Sequence, residues 1–179
     1  MKDEENHNDD RAKQQAVGVV SRTTNKEDTM ANDTLRWDQK LPVRQRFVVL
    51  AAFNNEAVLD KETGLVWEKS PQTAEEGWIF AILICANKTV GGRKGWRLPS
   101  MPELASLVDP SVIPGPTLPA GHPFTNVQSA NYWSATSCAD DPSHAWFVEF
   151  NNGNVNHDFK VVIPRQVWCV RGGMNADQY

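Results

Sequence analysis

WRLPSMPEL, residues 96–104, is the stretch around which the rest of the chain arranges itself. Ser100 and Glu103 have the spacing of a capping box, and Leu104 and Leu107 then fall one helical turn apart, so a short helix follows from Ser100. Gly91 and Gly92 stand just upstream and end a different kind of segment. That segment, Trp78 to Ala86, is apolar almost all round and is preceded by Thr73 and Glu76 at capping-box spacing, which predicts a deeply buried helix.

Further out, the runs FVVLAAF (47–53), AVLD (57–60) and LVWEK (65–69) are short and β-rich. The turn residues Asp60 to Gly64 join the last two as a hairpin. Downstream, Pro110, Pro114, Pro116, Pro119 and Pro123 exclude helix and central strand between Asp109 and Asn131 and leave a long loop. Loops of that length are usually functional or disordered. Three strand candidates follow, YWSAT (132–136), HAWFVEF (144–150) and NVNHDFK (154–160), the last two joined by a turn at Asn151 to Gly153, and RQVWCVR (165–171) closes the series. Strands, then two helices, then strands again give an α+β domain with its termini side by side. The expected organisation is a polar arm over 1–45, one folded domain over 46–173 and a short tail over 174–179.

The 179 residues are 40% hydrophobic and 22% charged with a net charge of −4, a composition of folded globular chains. Basic residues after Phe47 are scattered except for Arg93, Lys94 and Arg97, which argues against nucleic acid as a partner, since phosphate binding needs a concentrated basic footprint. No run approaches the roughly 18 apolar residues of a membrane span. The amino terminus, MKDEENHNDDRAKQQ, is acidic where a secretory signal is basic and then apolar. The chain is therefore cytoplasmic, or its export signal lies outside this sequence.

Cys85 falls on the apolar helix, Cys169 on the closing strand and Cys138 between them. An odd count is compatible with one bridge or with three thiols, and spacing does not choose.

The ordered series LDKETGLVWEK, a helix ending in Cys85, GG, WRLPSMPEL with SLVD, YWSAT, AWFVEF and WCVRGG resembles the bacterial domain at the carboxyl end of Legionella collagen-like protein, long described as a domain of unknown function. The likeness covers about residues 57–173. It implies a C-type-lectin-like fold with paired terminal strands, and a bridge between Cys85 and Cys169. It also implies a noncatalytic adhesion or recognition module, extracellular or at the cell surface, whose ligand is a glycan such as a sulfated polysaccharide, or a protein. A relative of this kind is a trimer on a collagen-like stalk; no Gly-X-Y repeat precedes the domain here, so the oligomer stays open. The rival readings are an enzyme related to the formylglycine-generating fold, whose paired cysteines near the carboxyl end have no counterpart beyond Cys169, and a phage or surface display scaffold.

The residues offer few sharp sites. The Glu-Pro-Asn, Gln-Pro-Asp and Trp-Asn-Asp triplets of calcium-dependent lectins are absent. Calcium would have only Asp140, Asp141 and the NNGNVNHD segment, without spaced acids, so no cofactor or metal is expected. Strand alternation puts Asn154, Asn156 and Asp158 on one face, a row suited to hydroxyl-rich ligands, although a solvated sheet looks the same. Tyr132, Trp133 and Trp146 are stacking surfaces or core, and Trp67, Trp96 and Trp168 are core. Arg93 and Lys94 are the groups a sulfated polymer would use, while Arg97 and Arg171 read as architecture. Ser134, His144, His157 and Asp158 carry no catalytic signature, and His7, His122, His144 and His157 no metal-ligand spacing. The working surface expected from these patterns is the proline-rich loop together with the Asn154 to Asp158 strand.

Overall fold

The computed structural model describes residues 41–161 and 163–172, so the polar arm before residue 41 and the tail over 174–179 lie outside the described residues. A short helix α1 (Val43–Arg46) leads into β1 (Phe47–Val49), a 3-10 turn (Ala51–Phe53), and the hairpin β2 (Ala57–Asp60) and β3 (Leu65–Glu68). Residues 41–45, expected in the arm, are thus part of the fold. They are held by Arg46, whose buried guanidinium bonds Asp60 at 2.9 and 2.8 Å and the Ser106 carbonyl at 2.8 Å. The hairpin closes as its turn residues require, with the Gly64 amide donating to the Asp60 carbonyl and Gly64 at φ 71°.

β1, β2 and β3 pair antiparallel and continue through β8 (Val170–Arg171) to β4 (Trp96–Arg97), in the order β1-β2-β3-β8-β4. The last strand therefore shares a sheet with the first without touching it, in contrast to the expected direct pairing of terminal strands. β3 is buried at every position because both faces of this sheet are covered. Leu65 and Trp67 enter one core with Tyr132, Phe150 and Trp168, and Val66 enters another with Ala81, Cys85, Trp133 and Phe147. Trp67 and Trp168 pack edge to face at 5.5 Å, and the Trp168 indole N–H donates to the Glu68 carbonyl at 2.8 Å.

α2 (Trp78–Asn87) crosses this sheet, and Cys85 is bridged to Cys169 just before β8, with Cα atoms 5.3 Å apart. Closing a loop of 84 residues removes about 4 to 5 kcal/mol of chain entropy from the unfolded state. Two expectations for α2 fail. Thr73 does not cap it: Glu76 is held extended by an antiparallel bridge to Arg165, with N···O distances of 2.8 and 3.0 Å, so the helix starts only after Gly77. Nor is it deeply buried. Ala81 and Cys85 face the core, but Ile79, Phe80 and Leu83 are 52%, 63% and 50% exposed, because only one side of the helix meets β4 and the strand β5 (Asn131–Ser137).

α3 (Met101–Ala105) begins at the capping box anticipated at Ser100, whose amide donates to Glu103 Oε2 at 2.8 Å. The same Glu103 carboxylate takes two hydrogen bonds from Arg97, which also reaches the Gly172 carbonyl, so WRLP and the end of CVRG are locked together. The proline-rich segment is also architecture. Thr117, Leu118 and Phe124 are buried, the Thr117 amide donates to the Phe150 carbonyl at 2.8 Å and the Thr125 amide to the Lys69 carbonyl at 2.9 Å. Gly115 lies so close to the Phe150 carbonyl that a Cβ there would collide with backbone.

Candidate functional site

A second, separate sheet consists of β5 (Asn131–Ser137), β6 (His144–Glu149) and β7 (Val155–Phe159), all antiparallel, with β7 at its edge. Its two faces are decided by the register, which sets Trp146 opposite His157, His144 opposite Phe159 and Phe147 opposite Asn156. Ala145 and Phe147 point inward with Trp133, toward α2. Asn156 and Asp158 share that side. Asp158 is consequently engaged by Arg165 at 2.7 Å, while the Arg165 guanidinium lies 3.6 Å from the centre of the Phe147 ring and 4.8 Å from that of Trp133. Burial draws the Arg165 pKa down, opposed by Asp158, Glu149 and Glu75.

The row Asn154, Asn156, Asp158 is therefore not the open polar face that alternation suggested. Asn154 and Asn156 are exposed, but Asn154 precedes the strand and the Asn156 side chain caps the His157 amide at 2.9 Å. Outward on β6 and β7 stand His144, Trp146, His157 and Phe159 instead. The Trp146 and His157 rings are 5.0 Å apart, His144 and His157 5.5 Å, and His144 and Phe159 4.0 Å. His157 and Phe159 are exposed, and His144 and Trp146 half-buried beneath them. Asp141 approaches His144 Nδ1 at 2.8 Å; its carboxyl is held below its ordinary value by the Ser143 hydroxyl and amide, and further by His144.

The other sequence candidates disperse. Tyr132 is fully buried, its hydroxyl accepting the Gln128 amide at 2.7 Å, and burial pushes its pKa up to about 12, so it offers no ligand surface. Arg93 and Lys94 are exposed on the turn between α2 and β4, with the Arg93 guanidinium over the Phe53 ring at 4.9 Å, and are not brought to β7. Ser134 is buried and donates to the Trp146 carbonyl. Among the described residues no group of three or more His, Cys, Asp or Glu is placed to hold a metal ion, and no helix is long and apolar enough to cross a membrane.

A family model described as the Lcl C-terminal domain matches residues 56–171, more than half of the chain. The chain belongs to the Lcl C-terminal domain family. The match to the Lcl C-terminal domain opens just before β2 and closes in β8, so it takes in both sheets, the disulfide and the aromatic face, and leaves out α1 and β1. No curated protein matches the chain. Within this Lcl domain, His157 and Phe159 escape a reading by residue type. The available signal is the repeated His-x-aromatic spacing of His144/Trp146 and His157/Phe159 on adjacent strands, which alternation alone cannot assign to the outer face.

Proposed function

We propose that the chain is a noncatalytic recognition module, displayed at the cell surface, that binds a glycan through the outer face of β6 and β7. The observation that carries this reading is the contiguous set of rings His144, Trp146, His157 and Phe159 on that face. Rings present an apolar plane to the C–H face of a sugar, and the imidazole nitrogens of His144 and His157 offer hydrogen-bonding groups for its hydroxyls. A sulfated chain would find its added cations at Arg93 and Lys94, on a separate patch. The Cys85–Cys169 bridge supports an oxidising location. A C-type-lectin-like fold is supported by that bridge.

Glycan-array binding tests the proposal, with and without calcium and at rising salt, for the parent chain and for His157→Ala and Phe159→Ser. Retention of neutral or sulfated glycans by the parent and their loss in both variants is the expected result. Absence of any glycan binding, or binding indifferent to both substitutions, overturns it.

A further inference from the structure

Away from the aromatic face, the end of β3, the carboxyl end of α2 and the proline-rich strap enclose a cleft of about 440 Å³, within the range of roughly 300–1,000 Å³ typical of small-molecule sites. Glu68 and Lys88 line it, bonded to each other at 2.6 Å. Glu68 is only 6% exposed, and its second oxygen, Oε2, is buried with no hydrogen-bond partner. A buried acceptor left in that state costs about 1–3 kcal/mol and is an invitation to a donor. Burial also holds the Glu68 carboxyl above its ordinary value in spite of the Lys88 ammonium.

The remaining walls narrow the chemistry. Glu56 and Glu68 are matched by Lys69 and Lys88, so the lining carries no net charge and favours an uncharged occupant. Ser70, Thr89 and Thr125 present hydroxyls and Asn55 an amide, groups that both donate and accept. The shape is set by backbone. Glu56 is anchored by the Gly91 amide at 2.7 Å, and Gly91, at φ 57°, presses so closely on Phe53 that any Cβ would strike its backbone.

We infer that this cleft is a binding site for a neutral polyhydroxylated ring, a single pyranose or cyclitol, whose adjacent hydroxyls bridge Glu68 and Lys88. It is independent of the aromatic face, and either can fail without the other.

Amide-resolved NMR titration with glucose, galactose, mannose, N-acetylglucosamine and myo-inositol tests it. At least one of these is expected to give saturable shifts at Ser70, Lys88, Thr89 and Thr125. The double variant Thr89→Val/Thr125→Val, changed only at exposed rim hydroxyls and so safe for folding, should weaken that binding about tenfold. Lys88→Met should abolish it. Shifts confined to β6 and β7, no saturable shifts at the cleft with any of the five, or cleft shifts that survive the rim variant each overturn the inference.

Discussion

β3, in the five-stranded sheet, is buried at all four positions, whereas β7, at the edge of the three-stranded sheet, is exposed at four of its five and half-buried only at Asp158. Both strands are paired and both alternate, so the difference lies in what covers them. β3 has a core on each face and supports the disulfide and the Arg46–Asp60 pair through its neighbours. β7 has Arg165 on one side and solvent on the other. The recognisable motifs, WRLP and CVRG, belong to the first region and bond to each other through Arg97. A strand whose outer side chains enter neither buried core can change them without unfolding the domain, and that is where recognition is least constrained by stability.

The five-stranded side is expected to be indispensable to the fold. Replacing Cys85 and Cys169 by Ala should lower unfolding free energy by about 4 to 5 kcal/mol, read by denaturant titration of oxidised parent against variant. Arg46→Met leaves Asp60 charged and buried and should cost about 3–5 kcal/mol by the same measurement; a change below about 1 kcal/mol would show that the amino-terminal segment is not integral to the fold.

Two carboxylates of this side give its stability opposite dependences on pH. Burial alone would raise the Glu103 pKa, but the hydrogen bonds from Arg97 and the Ser100 amide prevail and lower it from 4.5. Its contribution is present above that value and disappears as the pH falls through the depressed folded value. Glu68, raised from 4.5 by burial against the pull of Lys88, acts in the opposite sense: stability falls as the pH climbs from 4.5 through its folded value. Glu103→Gln should therefore flatten the acid limb and cost about 2 kcal/mol at neutral pH, and Glu68→Gln should remove the fall above 4.5. The smallest effect belongs to the display strand. Phe159→Ser should shift stability by no more than about 0.5 kcal/mol while removing glycan binding by the β6–β7 face, and a large loss of stability would return Phe159 to the core.

Much of the frame was legible along the chain. The capping box at Ser100 and Glu103, the hairpin around Gly64, the strands over 131–159 and the core positions of Trp67, Trp96 and Trp168 follow from local spacing and apolarity, and all are present. The capping pattern at Thr73 and Glu76 misled because a nonlocal bridge to Arg165 outcompetes a local cap. The all-apolar helix misled too, since hydrophobicity on every side does not say how many sides are covered. The prolines of 110–123 excluded regular structure as expected but gave no hint that Leu118 and Phe124 would be drawn into the core.

The main strands, the two larger helices, their order and the family follow from the sequence, because those depend on patterns a few residues long and on motifs in series. Which face of β7 meets solvent was decided only in three dimensions. Alternation creates two equivalent faces, and it took Arg165, lodged over Phe147 and bonded to Asp158, to turn one inward and leave His157 and Phe159 outside.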